Sequence, residues 1–174
     1  MAERQIFKSA TTAPRAIRDA LGILFAQELF VPSQKVFLMT PWISNIVILD
    51  NRMGQFDGLN PGWGHREIRL VDILVALTAN DTKLLVRVRT DPHNNHFRTK
   101  FFAALNDAGT RDKCEWEESS TLHTKSLLTE HAVVSGSMNF TENGISLGAE
   151  MVSISFDRVL VAQAHTELES HGAV

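Results

Sequence analysis

Hydrophobic residues recur at the helical spacing of three to four positions in several parts of the chain. The segments with this pattern are residues 13–30, 66–79, 97–108 and 158–170. Thr12 can cap the first segment, Asp91 can cap the third, and Gly109 follows the end of the third. The pattern therefore predicts four helices.

Shorter apolar runs, some of them alternating, predict β-strands between these helices. In residues 83–89, Leu84, Val86 and Val88 share one face, and the residues between them share the other. The other predicted strands are residues 35–39, 114–119 (an edge strand), 122–128, 132–135 and 150–156. Residues 51–64 are rich in glycine and asparagine, which predicts a loop.

Strands separated by helices of this length predict an α/β fold, a mixed β-sheet flanked by helices. Residues 122–128 and 132–135 are joined by only residues 129–131, so we expect this pair to be antiparallel. The sequence has no internal repeat. Its length predicts a single domain over residues 1–174.

The charge and the cysteine content limit which binding partners and which cellular compartment are compatible with the sequence. The formal net charge is -3, so binding to nucleic acid has to use a local basic face. The candidate residues for such a face are Arg87, Arg89, Arg98 and Lys100. Cys114 is the only cysteine, which excludes an intrachain disulfide and favours a reducing compartment. Charged residues interrupt the apolar runs near the start of the chain, so we expect a cytoplasmic protein without integral membrane association.

The densest group of reactive side chains lies in residues 122–139, "LHTKSLLTEHAVVSGSMN". On a strand, His123 and Lys125 project to the same face about 6.6 to 7 Å apart. The backbone at Gly136, the Ser137 hydroxyl and the Asn139 amide can all donate hydrogen bonds to an anion. An imidazole surrounded by such donors suits a phosphodiester on which negative charge develops.

These residues carry a family resemblance. "HTKSLLTE" followed by "GSMN" resembles the motif of the phospholipase D superfamily, and the downstream "TENGISLGAEM" resembles its continuation. The likeness covers residues 122–150, about a sixth of the chain, and "FLMTPWIS", "VRVRT" and "LNDAG" are compatible with it. Glu130 stands where the superfamily usually has a structural aspartate that reaches into the site, and its spacing to Gly136 is slightly short. A glutamate can take the same place with a longer side chain.

The resemblance implies a phospholipase D-like fold and a phosphodiesterase that needs no metal or cofactor. His123 would attack phosphorus and form a phosphohistidine, while a second histidine protonates the leaving oxygen. Lys125 and Asn139 would hold the non-bridging oxygens, with help from Ser137. Glu150 would bind the other imidazole nitrogen of His123 and fix its tautomer.

The chain has one such motif, whereas the mechanism needs two histidines. A homodimer that shares one active site on its two-fold axis resolves this difficulty. The chain also resembles the phospholipase D-like proteins of bacterial gene clusters that modify DNA with 7-deazaguanine. That likeness implies a DNA endonuclease in a modification and anti-phage defence system, with other proteins of the system as partners.

Alternative interpretations stay open. The second hypothesis is a phospholipase or transphosphatidylase at a membrane surface, and the third is a catalytically inactive nucleic-acid-binding subunit of a defence complex.

His93 and His96 have a spacing that allows zinc binding, but Asp91 is the only acid nearby, so we expect solvent or phosphate contacts instead. Trp63 can stack on a base or pack its loop, while core packing is expected for Trp42 and a structural role for Cys114.

Overall fold

The computed structural model describes residues 3–9 and 11–171. Its helices are α1 (Ala16–Phe30), α2 (Leu70–Ala79), α3 (His93–Asp107) and α4 (Arg158–His171). Its strands are β1 (Glu3–Lys8), β2 (Lys35–Thr40), β3 (Val47–Asp50), β4 (Glu67–Arg69), β5 (Lys83–Arg89), β6 (Cys114–Ser119), β7 (Ser126–Leu128), β8 (Val133–Gly136) and β9 (Glu150–Ser155).

Seven strands form one mixed sheet in the order β1-β9-β8-β7-β2-β5-β6, and β3 pairs with β4 separately. β2, β5 and β6 are parallel to one another, whereas the pairs β2–β7, β7–β8, β8–β9 and β9–β1 are antiparallel. The predicted α/β class is confirmed, as are the antiparallel β7–β8 pair and the edge position of β6.

The two faces of the sheet are covered differently. One face packs against α1, α2 and α3 and contains the larger core cluster, including the fully buried Phe25, Phe97 and Phe101. The other face buries Phe37, Leu85 and Leu128 beneath α4. Burial of each such side chain stabilises the fold by about 1.5 to 3 kcal/mol.

Several predicted boundaries are wrong for local reasons. α1 begins at Ala16 and not at residue 13, because Ala13 has a φ of 47°, and Thr12 does not cap it. Residues 67–69 are not helical, since they pair with β3 as strand β4. The hydrophobic spacing did not reveal β1, β3 or β4, and it placed the start of α3 four residues too late.

The strand directions bring chemically useful segments to one edge of the main sheet, which we call the carboxyl edge. The parallel strands β2 and β5 end there at Thr40 and Arg89. The antiparallel register places the start of β7, the end of β8 and the start of β9 at the same edge, where Glu150 lies opposite Lys8 of β1. Open α/β sheets bind their ligands at such an edge.

Candidate functional site

His123 and Lys125 lie at the carboxyl edge, in an extended segment just before β7. The prediction of a strand from residue 122 is wrong, because the ladder between β7 and β2 ends at Ser126 opposite Met39. His123 is exposed and Lys125 is half-buried. Lys125 Nζ donates a hydrogen bond of 2.9 Å to the main-chain oxygen of His123, so the two motif residues are in direct contact.

Arg89 contacts the imidazole of His123 directly. Its Nη2 lies 3.0 Å from His123 Nε2 and 3.2 Å from Nδ1. Because Nη2 is almost equally far from the two ring nitrogens, the guanidinium lies against the imidazole ring as a whole. The site therefore contains an imidazole in contact with the guanidinium of Arg89, and the Lys125 ammonium bonds the main chain of the same histidine.

A short chain of contacts holds the Arg89 side chain. Its guanidinium carbon lies 5.5 Å from the centre of the Trp42 ring, and Trp42 Nε1 donates a 3.1 Å hydrogen bond to Asp91 Oδ2. Asp91 Oδ1 accepts from the main-chain nitrogen of His93 at 2.9 Å, where α3 begins. The hydrogen bonds from His93 and then Trp42 lower the pKa of Asp91. Trp42 is thus half-buried at the mouth of the site rather than in the core.

The main chain of Arg89 is fixed by the buried side chain of Asn94. Asn94 Nδ2 donates to the oxygens of Arg89 and Pro41, at 2.8 and 2.9 Å, and its Oδ1 accepts from the nitrogen of Ile43 at 2.9 Å. Arg89 also donates its own main-chain N–H to the oxygen of Pro41. One asparagine thus joins the ends of β2 and β5.

The Gly-Ser segment turns sharply after β8. Gly136 has a φ of 155°, and a Cβ there would lie 2.2 Å from the oxygen of Met151. The Ser137 hydroxyl donates to Glu150 and accepts from the Met151 nitrogen at 3.1 Å. Glu150 therefore bonds Ser137, and the hydrogen bond predicted between Glu150 and His123 does not form within the described residues.

Asn139 is held where β8 leads toward the short π-helical segment Asn143–Leu147. Its Oδ1 accepts a hydrogen bond of 3.3 Å from the Thr40 hydroxyl. Gly144 packs so closely that a Cβ there would lie 2.3 Å from the main-chain oxygen of Asn139. Among the described residues its amide nitrogen makes no hydrogen bond, so it can donate to an anion.

Lys8 is a site neighbour that the sequence patterns did not reveal. It lies at the end of β1 opposite Glu150, is 3% exposed, and donates a 2.7 Å hydrogen bond to the Gly148 oxygen. Burial lowers the pKa of Lys8, against the opposing effect of Glu150 and Glu142. Its signal in the sequence is weak, namely a lysine two positions after Ile6 on the inward face of a strand.

The other predicted basic contacts lie farther from the imidazole. Arg87 forms an ion pair with Glu117, and Arg98 forms one with Glu118 at 3.0 Å, both acids belonging to β6. Lys100 is exposed on α3 and lines a different surface, together with Asn45, Arg66 and Asp72.

Glu130 is not part of the site, which corrects the prediction that this acid reaches into it. β7 separates Lys125 from Glu130, and a strand of three residues spans about 10 Å. Glu130 Oε1 accepts from the nitrogen of Gln34 at 3.2 Å, at the opposite edge of the sheet.

No group of three histidine, cysteine or carboxylate side chains that could hold a metal ion occurs within residues 3–9 and 11–171. His93 contacts the Ser44 hydroxyl at 3.1 Å, and His96 is exposed.

Trp63 packs in the core at 7% exposure. Cys114 is buried, and its burial raises the pKa of the thiol to about 11. In the part of the chain that the structure describes, no helix is both long and apolar enough to span a bilayer.

Comparisons with known proteins concern the fold and the family. A search of curated proteins gave no match. Among solved structures, the chain is similar to NucT from Helicobacter pylori, with a TM-score of 0.61, 10% identity and coverage of 97% of this chain and 95% of that one. It is also similar to Nuc from Salmonella typhimurium, a phospholipase D family member, with a TM-score of 0.60, 10% identity and coverage of 97% and 92%.

A third similar structure is TrmBL2, an archaeal chromatin protein with a novel mode of DNA binding. Its TM-score is 0.54 at 10% identity, and the likeness covers 99% of this chain and 52% of that one. At these identities the structural likeness concerns the fold alone.

The family model for the cardiolipin synthase PLD-like domain matches residues 56–171, about two thirds of the sequence. That range includes Arg89, His123, Lys125, Ser137, Asn139 and Glu150. The chain therefore belongs to the phospholipase D-like family of cardiolipin synthase domains.

Proposed function

We propose that the protein is a metal-independent phosphodiesterase, a DNA endonuclease of a bacterial DNA-modification and defence system, which acts through a phosphohistidine. The observation that carries the proposal is the contact between Arg89 and His123. It supports an imidazole held in a cationic setting, as a nucleophile attacking a phosphate anion requires.

The proposed reaction has two steps. In the first, the lone pair of a His123 ring nitrogen forms a bond to phosphorus, the P–O bond to the leaving group breaks, and a second imidazole gives that oxygen a proton. In the second, water attacks phosphorus and loses a proton to the second imidazole, while the P–N bond breaks and its electron pair returns to His123. Together, these two easier steps replace one difficult displacement.

Around this nucleophile, Lys125 and Asn139 would hold the non-bridging oxygens. The Lys125 ammonium has only to turn from the His123 oxygen toward the phosphate, and the Asn139 amide nitrogen can already donate. Ser137 would assist. Glu150 would fix the tautomer of His123 after exchanging its bond to Ser137 for one to the imidazole.

The second imidazole is proposed to come from a second copy of the chain, in a homodimer with one shared site. His123 is exposed at an edge of the sheet, which leaves room for a two-fold related ring. Mixing experiments can test this. An excess of His123→Ala subunits added to the wild type should lower the activity per wild-type subunit, because mixed dimers contain one histidine. Unchanged activity, or a monomeric mass in light scattering, would contradict the dimer.

Two likenesses support DNA as the substrate. The chain resembles the phospholipase D-like proteins of the 7-deazaguanine gene clusters, and it shares a fold with TrmBL2. Arg89 and Lys100 form no ion pair within the described residues, and we propose that both contact the DNA backbone. Arg87 and Arg98 would contact DNA only by loosening their pairs with β6.

A lipid substrate is the second candidate, and a surface feature favours it. Phe7 and Met151 lie opposite each other across the β1–β9 ladder, are 62% and 53% exposed, and border Ser137 and Glu150. An apolar surface beside a phosphodiester site suits an acyl chain. The family description, cardiolipin synthase, points the same way.

One assay separates these candidates. The purified protein is incubated in EDTA with plasmid DNA, with bis(p-nitrophenyl) phosphate and with phosphatidylcholine vesicles. Parallel samples contain His123→Ala and, as a matched control, His96→Ala on the exposed face of α3. We expect cleavage of the first two substrates by the wild type and the control alone. Cleavage that needs magnesium or survives His123→Ala rejects the mechanism, turnover of vesicles alone selects the lipid substrate, and DNA retention without cleavage selects the inactive binding subunit.

A further inference from the structure

We infer that Arg89 is a catalytic residue, whose guanidinium binds the non-bridging oxygens of the phosphoryl group attacked by His123. This inference rests on the proposed function and assigns a role that the sequence motif does not contain. It is more specific than a contact to the DNA backbone, because it places Arg89 on the reacting phosphate itself.

The position of the guanidinium leads to this role. Nη2 of Arg89 is 3.0 Å from His123 Nε2. A phosphorus atom bonding to that nitrogen comes closer to it than Nη2 is, so its oxygens reach the guanidinium at charge-assisted hydrogen-bond distances of about 2.7 to 2.9 Å. When substrate binds, the guanidinium would donate to a phosphoryl oxygen beside the ring.

In the described part of the chain, the charge of Arg89 is not taken up by an ion pair: Asp91 is near enough for Arg89 to help lower its pKa, but the Asp91 carboxylate bonds Trp42 and His93. Arg87, two positions earlier on the same strand, pairs with Glu117, and Arg98 pairs with Glu118. Within residues 3–9 and 11–171, Arg89 has no carboxylate at ion-pair distance, and its buried Nε makes no hydrogen bond. A cation next to a nucleophile, with no carboxylate at ion-pair distance, can bind an anion.

The arginine is fixed in place before substrate arrives. Asn94 and Pro41 hold its main chain, and the Trp42 ring supports its guanidinium. Lys125, by contrast, points at a main-chain oxygen and has to turn. Preorganised donors are the ones that stabilise developing charge without a reorganisation cost. Arginine also offers a planar fork that matches two oxygens of a phosphodiester, and it keeps its proton throughout.

Two measurements test the inference, one of which does not depend on turnover. Inorganic phosphate is titrated into the wild type, Arg89→Gln and Arg89→Lys, and the imidazole signals of His123 are followed by NMR. Arg87→Gln is the matched control, since it removes the same charge from the same face of the same strand. The activity of each protein on bis(p-nitrophenyl) phosphate is measured in parallel, and a thermal melt verifies that each is folded.

We expect phosphate to shift the His123 signals of the wild type and of Arg87→Gln, and to bind at least about 10-fold more weakly to Arg89→Gln. We expect kcat/KM of Arg89→Gln to fall by about 10² to 10³-fold, as for loss of one charge-stabilising donor, with partial recovery in Arg89→Lys.

Each other outcome has a distinct meaning. Equal phosphate binding by Arg89→Gln and the wild type, or no binding to the wild type, overturns the role of Arg89 even if the enzyme is active. Binding that depends on Arg89 without turnover by any protein supports the anion site and overturns the proposed reaction. If Arg89→Gln does not fold, full activity in a folded Arg89→Lys overturns the requirement for a bidentate donor.

Discussion

Asn94 Nδ2 donates a hydrogen bond of 2.8 Å to the main-chain oxygen of Arg89. The same side chain bonds Pro41 and Ile43, so it ties the end of β5 to the loop after β2. The position of the arginine beside His123 thus depends on a residue that touches neither the imidazole nor the solvent, since Asn94 is 3% exposed.

Asn94→Ala should destabilise the protein by roughly 2 to 4 kcal/mol, because it leaves several buried main-chain groups without partners. Chemical denaturation measures this. Asn95→Ala, on the exposed neighbouring position, should change the free energy of unfolding by less than about 0.5 kcal/mol. Equal stability of the two variants would show that Asn94 does not hold this corner.

Gly136→Ala should destabilise the protein by roughly 2 to 4 kcal/mol and reduce activity. The new Cβ would lie 2.2 Å from the Met151 oxygen, at a φ of 155°, so β9 would have to move away from Ser137. Gly58→Ala is the control, since a Cβ at Gly58 meets nothing within 4 Å. A melting temperature of Gly136→Ala equal to that of the control would contradict this account.

Glu130→Gln should retain catalytic activity to within about threefold. Its side chain lies at the edge of the sheet opposite His123, and an amide oxygen can still accept from the Gln34 nitrogen. Initial rates on bis(p-nitrophenyl) phosphate measure this, with His123→Ala as the inactive reference. If Glu130→Gln lost nearly as much activity as His123→Ala does, Glu130 would have to act in the site, which would contradict this account.

Ser137→Ala should cost about 0.5 to 1.5 kcal/mol of stability, since the solvent-exposed Met151 nitrogen loses its acceptor and Glu150 loses its donor. Glu150→Gln keeps an acceptor for Ser137 and should change stability less while still lowering kcat. Urea melts and initial rates on the two variants separate the structural contact from the proposed orienting role. Full activity of Glu150→Gln would remove that role.

Cys114 should react slowly with thiol reagents in the native protein. Burial raises the pKa of its thiol from the usual 9.0 to about 11, so the reactive thiolate is about 100-fold rarer at pH 8 than for a free cysteine. Because the folded state keeps this proton longer than the unfolded chain, the contribution of Cys114 to stability is complete below about pH 9 and is lost as the pH rises toward 11. Absorbance assays with a disulfide reagent, with and without urea, measure the ratio. Rapid native labelling would contradict burial of the thiol.

The long amphipathic segments and the alternating strand at residues 83–89 could be predicted because their signals are local. The end of α3 shortly before Gly109, which has a φ of 69°, is likewise a property of a few neighbouring residues. Prediction failed at β1, β3 and β4 and at the start of β7, since strand formation depends on a partner that lies far away in sequence.

The sequence by itself determined the α/β class and the identity of the motif side chains, because periodicity and residue chemistry depend only on residues that are close together in sequence. Only the tertiary structure decided which side chains meet. It brought Arg89 to His123 from 34 positions away, bonded Glu150 to Ser137, and left Glu130 at the opposite edge. These contacts follow from the order, direction and register of strands, which pairing across the whole sheet fixes.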